Sequence, residues 1–420
     1  MPAPADRLDI DFVRAQFPAF SHPGTKDWAM CENAGGSYAP RQVVDRFERF
    51  LVATKLQPYW AAAPSAELGR DMDRAHELFA AALNARREEI MFGPSTSMNT
   101  YVLAHALRAE LSSGDEVIVT NQDHEANIGA WRRLADGNSG IVVREWGVDR
   151  ETGRLDPKGL ERLINERTRA VFVTHCSNLA GEINDVARFA RIVHQAGALI
   201  GVDAVSYAPH MLADVKALDV DFYYFSLYKV YGPHQGLLYA KREHLERMAN
   251  QGHYFNKPNL GKRLTPAGPQ HGEIAASCGI IDYIDAVAGH HGRDQDGAGS
   301  HHERIAATMD LMHAHECALA NRVLAHLKAK GARILGPETA EPHKRAATIA
   351  FVPRRSTPQA VMDHCASRNI IIGGGGDFYA RRLVEAVGID PGKGVARVSL
   401  VHYNCDADVD RLLEALDEVI

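Results

Sequence analysis

A chain of 420 residues exceeds one small domain and sets an expectation of two or three. With 45% hydrophobic and 24% charged residues it can bury a large core, and a net charge of −6 offers no basic surface for nucleic acid or an anionic membrane, so small molecules are the expected partners. The opening MPAPADRLDIDF has neither a basic nor an apolar leader region, no stretch approaches a membrane span, and six scattered cysteines form no CxxC pair, which predicts a soluble cytoplasmic protein without a disulfide framework or a bound metal.

From Glu89 onward short β-branched runs alternate with amphipathic segments. EEIMFG reads as a strand, SMNTYVLAHALRAEL as a helix, EVIVT as a strand, ANIGAWRRLADG as a helix and IVVREW as a strand. PKGLERLINERT is then a helix, AVFVTH a strand, VARFARIVHQAG a helix closed by glycine, and ALIGVD a strand. Two further strands are expected over Asp221 to Ser226 and Gly236 to Ala240. Such alternation predicts a mostly parallel sheet covered on both faces. In GHHGRDQDGAGSHHE, His290, His291, His301 and His302 flank a Gly- and Asp-rich stretch, read as a mobile, solvated connection in preference to a metal site. Beyond it a long helix precedes strands near Thr348 to Val352, Ile370 to Ile372 and Val395 to Leu400, a smaller α+β domain. The expected division is 31–288 for a large domain and 289–420 for a small one, with 1–30 packing beside the small domain.

Residues able to do chemistry fall where strands end, the edge at which open α/β sheets bind ligands. The turn GPSTSMNT opens a helix, so its N–H groups and the hydroxyls of Ser95, Thr96 and Ser97 suit an anion, although the same residues serve an ordinary N-cap. His124 follows EVIVT, where a structural or solvated histidine is equally at home; Ser177 and Asn178 follow AVFVTH. Asp203 ends ALIGVD, where a carboxylate needs a cationic partner to stay charged. Lys229 lies in FYYFSLYKVYGPHQGLLYAK, and either snorkels out of a loop or keeps a lowered pKa and captures a carbonyl. One cofactor uses all of these. Pyridoxal 5′-phosphate needs a lysine for its aldehyde, a carboxylate at its ring nitrogen, a phosphate cup and a flat group over the ring. Neither GxGxxG nor GxxxxGK[ST] occurs in the chain.

The ordered set THCSNLAGEINDV, HQAGALIGVDAVSYAPH and DVDFYYFSLYKVYGP, within a likeness running from ENAGGSYAP to ARVSLVHYN, closely resembles the cofactor motifs of class-V aminotransferases, and is most similar to their cysteine desulfurase and selenocysteine lyase branch. The resemblance implies a fold-type-I α/β transferase fold, with a mostly parallel mixed sheet flanked by helices and a smaller α+β C-terminal domain, acting as a homodimer on a small α-amino acid. It implies that Lys229 holds the cofactor and moves protons, that Asp203 meets the ring nitrogen, that His124 stacks on the ring, and that Ser226 and Tyr228 contact phosphate. Asn178 would lie near the phenolic oxygen and the substrate, and Arg397 would grip the substrate carboxylate, a residue that by pattern alone reads as an outward position of an alternating strand.

Departures from the pattern matter as much. Ser206 replaces a glutamine, and in PAGPQHGE Pro269 replaces a partner-subunit threonine, leaving Gln270 as the candidate cofactor contact there. In GGGGDFYARR, where desulfurases carry a persulfide-forming cysteine on a mobile loop, the glycines are expected to supply mobility, and Asp377 or Tyr379 to close over the substrate. The expected reaction is therefore β-elimination at a C–S or C–Se bond without a protein persulfide. Transamination, epimerisation and a non-catalytic binding protein are the alternatives.

Overall fold

The computed structural model describes residues 7–137, 139–293 and 299–420. Seven strands, β1 (Ile90–Gly93), β2 (Glu116–Thr120), β3 (Val142–Trp146), β4 (Thr168–Thr174), β5 (Leu199–Asp203), β6 (Phe222–Ser226) and β7 (Gly236–Ala240), form one sheet in the order β1-β7-β6-β5-β4-β2-β3. β7 runs antiparallel to both neighbours and the remaining pairs are parallel. Every residue of β2, β6 and β7 is buried, as helix-covered strands require. The helices Thr96–Arg108, Glu125–Arg132 and Val186–Gln195 make crossovers close to those read from the pattern. The helix beginning at Pro157 stops at Leu163, earlier than its periodicity suggests. Asn165 turns the chain instead, donating its backbone N–H to the Thr168 hydroxyl (3.0 Å) and accepting from Arg167 N–H (2.9 Å), so Thr168 can begin β4.

A second sheet of β8 (Arg333–Ile334), β9 (Thr348–Val352), β10 (Gly373–Gly376) and β11 (Val395–Ser399) is antiparallel throughout, in the order β10-β11-β9-β8. Helices Pro358–Ser367 and Asp406–Val419 pack on it through a core including Val361, Phe351, Val398 and Leu412. Two expectations change here. Ile370–Ile371 leaves this sheet and pairs in parallel with Ala29–Met30. The glycines expected to form a mobile loop are β10: a Cβ on Gly374 would lie 2.3 Å from the Pro358 carbonyl oxygen, so this glycine serves close approach to a helix end.

The N-terminal segment divides its contacts between the two bodies. Phe17 sits in the large core against Tyr283, while Arg14 pairs with Asp408 at 3.0 Å. The helix His271–His290 runs past residue 288, and His301–Ala329 buries Ile305 and Met309 in the large core and Val323 and Leu327 in the small one. The four histidines at the junction of these helices are docked, not solvated: His290 meets Asp9 (2.9 Å), His291 accepts from Asp9 N–H (3.0 Å), His301 meets Asp285 (2.9 Å) and His302 the Ala82 carbonyl (2.7 Å). The rest of that connection, 294–298, lies outside the described residues. No helix among the described residues is long and apolar enough to cross a membrane.

Candidate active site

Parallel strands β4, β5 and β6 end on one side of the sheet, with Thr174 opposite Asp203 and Asp203 opposite Tyr224. A cavity of about 210 Å³ opens there, lined by Ser95, Thr96, Ser97, His124, Asn178, Asp203, Ser206, Ser226, Tyr228 and Lys229, together with Ala126, Thr174, Cys176, Val205 and His234. Residues chosen from separate strand ends thus share one space.

One end of the cavity is a cup of hydroxyl side chains. Ser95 caps the helix Thr96–Arg108, accepting from Met98 N–H (3.2 Å), and the Thr96 and Ser226 hydroxyls share a 2.7 Å hydrogen bond. The cap orders a helix start whose first residues, Thr96 and Ser97, line the cavity, so the N-cap role does not exclude an anion there. Gly236 permits this approach, since a Cβ there would lie 2.4 Å from the Ser95 carbonyl carbon. Tyr228 stacks on His234 at 4.9 Å, an aromatic pair at the cup's rim.

The other groups are shaped by burial. Lys229 ends a short 3-10 turn after β6 and is only 7% exposed, so it does not snorkel into solvent. Among the described residues no carboxylate lies within ion-pairing distance of it. Desolvation, helped by Arg397 and opposed by Asp203 and Glu32, brings its amine down to about 8. Asp203 accepts from Val205 N–H at 2.8 Å, and burial raises its carboxyl to about 6. His124 caps the helix Glu125–Arg132 by accepting from Ala126 N–H at Nδ1 (3.0 Å). Burial, then the fields of Lys229 and Arg397, lowers it to about 3, leaving a neutral ring that lines the cavity. The loop that carries it is fixed beneath by buried Asp123, which accepts from Thr120 and from Asn127 (2.7 Å).

Arg397 is not the outward residue its alternating strand suggested; it is 4% exposed at the middle of β11. Its Nε (3.0 Å) and Nη2 donate to the Glu32 carboxylate, and Nη1 donates to the Asn178 carbonyl (3.2 Å). The Phe378 ring covers its guanidinium at 4.0 Å. Asn178 donates from Nδ2 to the Phe378 carbonyl (3.0 Å), while its buried Oδ1 has no hydrogen-bond partner. Phe378 and Tyr379 adopt φ of 50° and 58°, a left-handed turn that sets Phe378 against Arg397 and Tyr379 beside His124. Tyr379 is 71% exposed, its carbonyl accepts from Glu125 N–H (2.7 Å), and its ring lies 5.3 Å from His124.

Four candidates do not line the cavity: Arg397 and Tyr379 stand beside it, through Asn178 and His124, while Asp377 and Gln270 are not brought in. Asp377 turns its carboxylate back onto Tyr379 N–H (2.9 Å) and does not line the cavity, because the left-handed turn after it needs that local acceptor. Gln270 precedes the helix His271–His290 and lines an adjoining open cavity that meets the first only through His234. Glu32, Phe378 and His234 had not been singled out. Glu32 sits in the ENAGGSYAP stretch, but nothing local marks a carboxylate whose partner lies 365 positions away. Cys176 lines the cavity as a buried thiol held near the Gly181 carbonyl (3.5 Å), and burial pushes it up to about 12.

The donor set fits the expected cofactor. A phosphate matches the cup, a ring cation would satisfy the buried Asp203 carboxylate, the unpartnered Asn178 Oδ1 awaits a donor, and the unpaired Lys229 amine suits an aldehyde. The aminotransferase-like protein FGM3 of Gibberella zeae is 34% identical to this chain over 98% of it and 99% of that protein. A cysteine desulfurase of Dickeya dadantii is 30% identical over 99% of this chain and 98% of its own length. The crystal structure of the cysteine desulfurase CsdA from Escherichia coli matches with a TM-score of 0.82 at 25% identity, covering 98% of both chains. The model of the family described as aminotransferase class-V matches residues 30–278 and 301–412. By the family model and the two desulfurase matches, the chain belongs to the aminotransferase class-V family of pyridoxal-phosphate enzymes, in its cysteine desulfurase-like branch.

Proposed function

We propose that this protein uses pyridoxal phosphate to remove the α-proton of a small α-amino acid and expel a sulfur or selenium substituent from Cβ, with no cysteine carrying the departing atom. The observation that carries the α-proton chemistry is Lys229, a buried amine without an ionic partner, in the same cavity as Asp203 and the Thr96–Ser226 cup. When bound, the cofactor supplies an electron sink for the pair left at Cα. Lys229 takes the Cα proton, since an amine brought down to about 8 is a free base for a useful fraction of the time near neutral pH. Asp203 would hold a negative charge against the ring nitrogen, His124 would lie neutral beside the ring, and the Ser95–Ser97 turn with Ser226 and Tyr228 would anchor the phosphate, all of them lining the one cavity. Asn178 and Arg397 orient the substrate, and the Phe378–Tyr379 turn excludes water above them.

The case against a persulfide route rests on the cysteines. Cys31, Cys176, Cys278, Cys317 and Cys365 are buried, Cys405 is half-buried in a helix cap, and burial raises the pKa of all six. Where a mobile thiol would have to stand, the chain has strand β10 and the turn after it. All six being unpaired also suits a cytoplasmic setting. A homodimer is part of the same reading. Val44, Leu51, Val52 and Trp60 are exposed, and Val44, Leu51 and Val52 line the same open cavity as Gln270 and His234, so a second copy covering them would reach the site's rim.

Transamination is the second reading, favoured by the 34% identity to an aminotransferase-like protein, and epimerisation shares its first step. Incubating the holoenzyme with cysteine, selenocysteine and S-conjugates tests the assignment: sulfide, selenide or thiol released with pyruvate supports elimination. Keto-acid formation coupled to amine transfer, with no β-substituent lost, would assign transamination instead.

A further inference from the structure

Arg397 is already neutralised. Glu32 occupies the side-on fork of the guanidinium, through Nε (3.0 Å) and Nη2, while Nη1 is committed to the Asn178 carbonyl (3.2 Å) and Phe378 covers the face. The pair is well withdrawn from water, with side chains 5% and 13% exposed. Glu32 is held there by its backbone: it bridges to Ser399, whose N–H donates to the Cys31 carbonyl (2.8 Å) and whose hydroxyl accepts from Ala34 N–H (2.7 Å). A ligand carboxylate arriving beside this pair would set two anions on one buried cation, which a low-dielectric site opposes. It must take Arg397 from Glu32.

Lys229 also lies within the field of Glu32, although not in direct contact with it. The charge of Glu32 supports the protonated form of Lys229, and the next residues, Asn33 and Ala34, line a small second cavity shared with Lys229, Ser206 and Ser399. A substrate amine that took the place of Lys229 would bring its own proton, so the released lysine would be an ammonium on binding and would have to lose that proton before serving as the Cα base. The charge count then closes without a buried excess anion: the substrate carboxylate faces Arg397 and Glu32 faces the freed Lys229.

We propose that Glu32 is a specificity-determining residue, a built-in competitor that holds Arg397 until a single ligand delivers both a carboxylate for Arg397 and an amine that frees Lys229. The site therefore answers to α-amino acids and turns away carboxylates or amines that carry one group alone. This inference rests on Arg397 being the carboxylate seat.

Calorimetric titration of propionate into the holoenzyme, its Glu32→Gln variant and the Glu32→Gln/Arg397→Ala double variant tests it, after the cofactor absorbance and thermal midpoint show each to be loaded and folded. Glutamine keeps the shape of Glu32 and removes its charge. Propionate is expected to bind Glu32→Gln at least about tenfold more tightly than the parent, equivalent to about 1.4 kcal/mol, and the gain to vanish in the double variant. Equal affinity in parent and Glu32→Gln, including no binding to either, overturns the competitor role. A gain that survives loss of Arg397 overturns it as well, and shows that the carboxylate seat lies elsewhere. L-alanine distinguishes the two failures: if its binding to the parent is unaffected by Arg397→Lys, the reading of Arg397 itself is lost, whereas weakened binding leaves that reading standing.

Discussion

Thr96 and Ser226, 130 positions apart in sequence, share a buried hydroxyl–hydroxyl hydrogen bond of 2.7 Å, and that contact ties a helix N-terminus to the end of β6. Removing either hydroxyl, by Thr96→Val or Ser226→Ala, is expected to weaken cofactor retention by about 1.5–3 kcal/mol, the range for a hydrogen bond to a charged acceptor. Gly236→Ala should do more, because its Cβ meets backbone atoms of Ser95 that cannot yield separately from the helix start. Dialysis against buffer, followed by absorbance of the retained cofactor, checks both; full retention in Ser226→Ala would remove it from the cup.

Lys229→Ala should lose the visible band of the bound cofactor and all turnover, since no other amine lines the cavity. Capture of the cofactor by the apoprotein should quicken as pH rises and level off above about 8, where the amine is deprotonated. A flat profile from pH 6 to 9 would contradict the lowered pKa. The stability linkage has the same sign: a lysine neutral in the folded chain but charged in the unfolded one makes folding release a proton, so apoprotein stability gains with rising pH between about 8 and the ordinary lysine value.

Asp203 gives the opposite slope. Its carboxyl, raised from 3.8 to about 6 by burial, keeps a proton in the folded apoprotein that the unfolded chain has lost, so stability falls as pH climbs through that window. Asp203→Asn should therefore stabilise the apoprotein at pH 7 by roughly 2–3 kcal/mol and have little effect below pH 4. In the holoenzyme the same change should slow exchange of the substrate α-proton severely. Thermal midpoints of the two apoproteins at pH 4 and 7, with deuterium exchange for the loaded forms, measure each arm; equal midpoints at pH 7 would show that Asp203 is not buried as a lone charge.

Replacing all six cysteines by alanine or serine, in protein shown to be folded and loaded, should preserve turnover. Cys176 deserves its own variant because it alone of the six lines the cavity, and Cys176→Ser should retain activity within a few-fold. If one replacement abolished sulfide release while the cofactor band survived, a persulfide route would return.

Local pattern carried most of the sheet. β2 and β7 lie where their apolar runs predict; Asp203 and Lys229 stand out because a charged group at the end of such a run is costly unless something uses it, and Ser95 because its turn opens a helix. Periodicity was a poorer guide at Asn165, where side-chain hydrogen bonds to the backbone ended a helix that propensity would have continued, and at Gly373–Gly376, where four glycines looked mobile and are a packed edge strand. Arg397 shows the limit in one residue: alternation along β11 makes it an outward position, yet neighbouring elements close over that face.

What the sequence determined by itself is the set of groups and the strand ends that carry them, because strand direction and the alternation of apolar runs put those ends on one side of the sheet. Tertiary structure alone decided the electrostatics and the closure. Glu32 reaches Arg397 only because residues 31–34 are laced to β11, and Phe378 covers Arg397 only because a left-handed turn, held by Asn178, follows β10. Contacts between residues hundreds of positions apart depend on how helices and sheets pack, and no spacing along one chain encodes which carboxylate will find which guanidinium.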